Sequence, residues 1–105
     1  MNNIRFIGGD EDDGDVFIVE TTLDRGHKLG SHVHRHPHMS VLVSGTAIVT
    51  VDGESRELSG YNVIRIPANT THEIEALTSV IWLCIWADHL APREEAFKSL
   101  ALIES

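Results

Sequence analysis

Short runs rich in Val, Ile and Thr recur along this chain, interrupted about every ten residues by Gly, Asp, Asn or Pro. That punctuation predicts an all-β sandwich or barrel. The candidate strands are Ile4–Ile7, Val16–Thr22, His32–His34, Met39–Ser44, Thr46–Val51, Arg56–Leu58, Asn62–Ile66, His72–Ala76 and Val80–Trp86. Asp52-Gly53 lies between two of them and suits a tight hairpin, because both residues tolerate positive φ. The run "SVIWLCIW" is apolar at both parities, so its strand should be covered on both faces, one inside the barrel and one by a sheet, a helix or a second subunit. It points to a homodimer.

With 105 residues, the chain has the length of one domain, expected over 1–105. Hydrophobic residues make up 42% and charged residues 23%, the balance of an ordinary globular protein. The formal charge of −8 argues against nucleic acid, whose phosphates need clustered Lys and Arg. No stretch approaches a membrane span and "MNNIRFIGGDEDDGD" lacks a signal pattern, so the expected setting is cytoplasmic, with no membrane partner. Cys84 lies in the apolar run and reads as a buried core thiol.

After Asp88, "APREEAFKSLALIE" spaces Ala96, Leu100 and Ile103 near a helical period, with Pro92 suited to a first turn. This predicts one short C-terminal amphipathic helix. The acidic segment "GGDEDDGD" fails as a calcium loop: aligning Gly14 with the obligatory glycine puts Gly9 and Phe17 at ligand positions. It reads as a solvated loop.

The stretch "GSHVHRHPHMSVLVSG", Gly30 to Gly45, sets His32, His34, His36 and His38 at alternate positions. In a strand, residues two apart share a face, so His32 and His34 can reach one ion together. Pro37 interrupts a central ladder, and the chain should turn between His34 and His38. Parity alone does not choose among the four. One strand cannot surround an ion, and His72, after Pro67 and an Asn-Thr turn, returns a histidine to the sheet.

These residues resemble the cupins. The family's first motif is His-x-His, then Glu, then Gly; here His32-Val33-His34 is followed by His38 in the Glu position and by Gly45 without a gap. Its second motif is matched by Pro67, Asn69 and His72, while Tyr61-Asn62 replaces the usual Gly-Asp start and Ala76 the trailing Asn. The likeness extends from about Gly26 to Trp86. It implies an all-β jelly-roll barrel of two antiparallel sheets, here with the C-terminal helix added. A subgroup of small single-domain cupins is similar in placing four histidines at this spacing and holds manganese or another divalent first-row ion. The resemblance therefore implies His32, His34, His38 and His72 as metal ligands.

A rival register through His34 and His36 misplaces Gly45, which leaves His36 at the rim. His27 and His89 fall outside both motifs and read as ordinary histidines. Four neutral imidazoles leave a divalent ion its full charge, and imidazole suits Mn, Fe, Co, Ni, Cu and Zn alike. The resemblance implies an oxygenase, lyase or isomerase acting on a metal-chelating small molecule, or a binding module without turnover. A structural zinc site ranks last, because such sites favour closed sets containing Cys. Candidate polar helpers are Arg65, Tyr61, Glu73, Ser40 and Ser44; Trp82, Cys84 and Trp86 share a face that could wall a pocket or fill the core.

Overall fold

The computed structural model describes residues 2–9, 14, 16–33, 36–87 and 103–104. They form ten strands: β1 (Asn3–Gly8), β2 (Val16–Leu23), β3 (Lys28–His32), β4 (His38–Ser44), β5 (Thr46–Val51), β6 (Glu54–Ser59), β7 (Asn62–Ile66), β8 (His72–Ala76), β9 (Val80–Ala87) and β10 (Ile103–Glu104). A first sheet runs β1-β2-β9-β4-β7 and a second β10-β3-β8-β5-β6. Every pairing is antiparallel. From β3 onward the chain passes repeatedly between the sheets, the connectivity of a jelly roll.

The alternation of side chains builds one core between the layers. Phe17, Val19, Thr21 and Leu23 point inward from β2 and meet Trp82 and Cys84 of β9, Leu42 of β4 and Ile64 and Ile66 of β7. Leu29, Ala47, Val49, Ile74 and Ala76 face them from the second sheet. Burying each large apolar side chain is worth about 1.5–3 kcal/mol. Trp82, Phe17, Leu23 and Leu42 have no exposed surface at all.

The β5–β6 hairpin closes where expected: Val51 pairs with Glu54, and Asp52 and Gly53 take φ of 51° and 79°. Gly45, between β4 and β5, has φ of 92°, and a Cβ there would lie 2.2 Å from the Ser79 carbonyl oxygen. Only glycine fits both constraints.

The sequence predicts a third strand at His32–His34, but the strand occupies Lys28–His32, and Val33 lies outside it. Lys28-Leu29-Gly30-Ser31 has little strand propensity of its own; Lys28 and Leu29 are held against Glu75 and Ile74, and a register shift before His32 absorbs Gly30 and Ser31. Ile103, assigned to the helical stripe, instead pairs with Leu29 in β10, so a tertiary contact overrides the local period. The rest of the expected helix, with Pro92, Ala96 and Leu100, lies outside the described residues. Among the described residues no helix is long and apolar enough to cross a membrane.

Candidate metal centre

β4 begins at His38, opposite Ile66, the last residue of β7. β8 begins at His72, whose backbone pairs with His32 at the end of β3. Strand ends from both sheets thus converge where the segment after β3 crosses from one sheet to the other. Alternation turns His38 inward with Ser40 and Leu42, and His72 inward with Ile74 and Ala76. His38 is 8% exposed and His72 2%.

The two rings lie with centroids 5.2 Å apart and planes tilted by 57°. Imidazoles bound about 2.1 Å from one first-row ion at neighbouring positions would hold their centroids roughly 4.5–5.3 Å apart. The pair fits. His72 Nδ1 lies 3.5 Å from the Thr70 carbonyl oxygen, the long limit of a hydrogen bond. A proton on Nδ1 directed there leaves Nε2 with the lone pair a metal ligand needs. The turn supplying Thr70 contains Asn69 at φ of 57°, a conformation asparagine tolerates.

Of the remaining expected ligands, His34 lies outside the described residues, and His32 is described by its backbone pairing to His72. Among the described residues no group of three His, Cys, Asp or Glu converges on a point. His36 is exposed. His27 holds a structural position: it accepts a hydrogen bond at Nδ1 from the Asn2 amide, whose oxygen accepts from the Asp24 backbone N–H at 3.0 Å. His89 lies outside the described residues.

The polar helpers divide by position. Tyr61 is 73% exposed and precedes β7 at the end opposite Ile66, and Ser44 is exposed at the far end of β4, so neither belongs beside the histidines. Glu73 alternates to the face opposite His72. Ser40 is fully buried beneath His38, and its hydroxyl donates to Cys84 Sγ at 3.5 Å. Burial pushes the Cys84 thiol above its usual pKa, opposed by hydrogen bonds with Ser40 and Trp82. Trp82 and Cys84 are core, but Trp86, on the same face, is half-buried and packs on His38 with centroids 5.1 Å apart. That contact needs β9 seated beside β4, a pairing no local signal reveals.

Arg65 alternates outward, paired with Met39, and lines a cavity of about 460 Å³ with Pro37, His38, Ile66 and Pro67. A cavity of that size admits a small organic molecule.

Two antiparallel five-stranded sheets around one core, with two buried imidazoles where strand ends of the two sheets meet, define a jelly-roll protein. The model of the cupin domain family matches residues 13–86, and the chain belongs to that family. A comparison with curated proteins finds no match. Among solved structures, the chain is similar to a conserved protein of unknown function from Streptococcus pyogenes, with 25% identity, TM-score 0.69, and coverage of 81% of this chain and 72% of that one. KdgF from a Halomonas species is 24% identical with TM-score 0.70, covering 80% of this chain and 77% of its own. Oxalate decarboxylase of Bacillus subtilis, which has Mn(II) centres, is 20% identical with TM-score 0.71, over 83% of this chain and 26% of that one.

Proposed function

We propose that this chain is a metal-dependent small-molecule enzyme of cupin type, with one divalent transition metal held by His32, His34, His38 and His72. The observation that carries the reading is the buried His38–His72 pair at 5.2 Å, in a family with a manganese-containing relative. Manganese ranks first among the candidate ions, with Fe, Ni, Zn, Co and Cu behind it. A divalent ion bound there supplies Lewis acidity to an enol, diketone or hydroxy acid that chelates it.

The chain's own residues supply the surroundings. Trp86 restricts the His38 ring, and the Thr70 carbonyl orients His72. Pro37, Ile66 and Pro67 give apolar walls beside His38. Oxygenase, lyase and isomerase chemistry are all compatible with these parts.

One observation favours a second reading, binding without turnover. Of the proposed acid–base helpers, Tyr61 and Ser44 lie at the far end, Glu73 faces away and Ser40 bonds to Cys84. The test is to incubate protein loaded with each first-row ion with diketones, catechols, enols and hydroxy acids, following oxygen uptake and product. Metal-dependent product establishes the enzyme. Saturable binding with no product in any combination establishes the binding module instead.

A further inference from the structure

The edge strand β6 carries charge on the side that faces the core. Residues directly opposite each other on antiparallel strands share a face. Leu58, Arg56 and Glu54 stand opposite Ala47, Val49 and Val51 of β5, and both Ala47 and Val49 are buried in the core. Leu58 packs on that core, as an inward position should. Arg56 and Glu54 are instead exposed, although their positions call for apolar side chains.

The two layers part at this place. β6 ends the second sheet and β7 the first, and a cavity of about 370 Å³ there is lined by Val51, Asp52, Glu54, Arg56, Ile64 and Arg65. Its walls are anchored: the Asp52 backbone N–H donates to the Thr71 carbonyl oxygen at 2.8 Å, pinning the β5–β6 turn, and Ile64 is buried from β7. Glu54, Val51 and His72 follow one another across three adjacent strands. Two strand spacings, about 10 Å, thus separate Glu54 from His72, and the slot is distinct from the imidazole pair.

The lining sets two guanidiniums and two carboxylates around the apolar Val51 and Ile64. Among the described residues, none of these four charged groups is in an ion pair. A lone anion in the slot meets Asp52 and Glu54, and a lone cation meets Arg56 and Arg65. A ligand with both signs on neighbouring atoms finds a partner for each. The smallest such group is the ammonium and carboxylate of an α-amino acid.

We propose that the slot between β6 and β7 binds a free aliphatic amino acid by its zwitterionic head, the carboxylate on Arg56, the ammonium on Glu54 and the side chain against Val51 and Ile64. Arg56 offers the planar fork that a carboxylate fits. Inward charges on an edge strand also block pairing with a foreign sheet. That task needs charge of one sign and no cavity.

The test is an NMR titration of the isotope-labelled full chain, in EDTA so that no metal takes part, with norvaline, pentanoate and pentan-1-amine. These probes share a carbon count and carry both charges, the carboxylate alone and the ammonium alone. Norvaline should shift the amide signals of Val51 to Arg56 and of Ile64 and Arg65, with a Kd on the order of 1 mM for so small a ligand. The other two should bind at least ~10-fold more weakly, as should norvaline to Arg56→Gln and to Glu54→Gln. Both substitutions sit on an exposed edge, and either one repeats the test if the other fails to fold. Absence of norvaline shifts at the slot overturns the proposal. Pentanoate or pentan-1-amine binding as well as norvaline overturns it by showing a site for one sign of charge. Unchanged norvaline affinity in both variants overturns it too, and leaves the inward charges to edge protection.

Discussion

His38 and Trp86 pack ring against ring, with centroids 5.1 Å apart and planes tilted by 58°. The other tryptophan, Trp82, is fully buried and pairs with Thr21 and Leu42, deeper along β9. Trp86 should therefore report on the site while Trp82 does not. Titration with Cu²⁺ should quench part of the emission and saturate at about one ion per chain. Trp86→Phe should keep the stoichiometry and lose most of the quenching. Equal quenching in Trp86→Phe would place the bound ion away from His38.

Gly45 closes the β4–β5 connection under two separate constraints, a φ of 92° and the Ser79 carbonyl oxygen 2.2 Å from where a Cβ would lie. Gly45→Ala should cost roughly 2–4 kcal/mol, enough to lower Tm by about 10 °C or more. Gly60 has a φ of 70° but open space around it, so Gly60→Ala carries the backbone strain alone, about 1 kcal/mol. Thermal melts of the two variants separate clash from strain. Equal losses would mean that Ser79 moves aside freely.

Cys84 is a buried acid whose pKa is raised by desolvation above its ordinary 9.0. Above pH 9 the unfolded thiol loses its proton while the folded one keeps it. The unfolded state then binds fewer protons, and stability falls as pH rises, by up to about 1.4 kcal/mol per pH unit between the two pKa values. Urea midpoints of wild type and Cys84→Ala from pH 8 to 10.5 should therefore diverge, with the wild type declining faster. Parallel curves would show the thiol ionising equally in both states.

Most of the fold was legible because Val- and Ile-rich runs such as Thr46–Val51 and Val80–Trp86 carry their own strand preference and Asp52-Gly53 its own turn. β3 starts earlier than the sequence predicts because Lys28-Leu29-Gly30-Ser31 is a strand only through its pairing with β8. Ile103 misled for the same reason, its helical spacing being overruled by Leu29.

His38 and His72, singled out in the sequence by their spacing to Gly45 and Pro67, are both buried with adjacent rings. Spacing could not reveal that Tyr61 and Ser44 sit at the opposite end of the sheet, since that depends on the β4–β7 register. Nor could it show Trp86 on His38, which follows from β9 lying between β2 and β4.

If the buried imidazole pair belongs to a four-histidine metal centre, removing either ring must cost metal affinity. The most direct measurement is the equilibrium binding of Mn²⁺ and Co²⁺ to wild type, His38→Ala, His72→Ala and His36→Ala, at pH 7.5 by calorimetry with elemental analysis of the bound ion. The expected result is about one ion per wild-type chain, with an affinity lower by at least ~100-fold in His38→Ala and His72→Ala and His36→Ala close to wild type. Undiminished binding by His38→Ala and His72→Ala, with binding lost in His36→Ala, would contradict it.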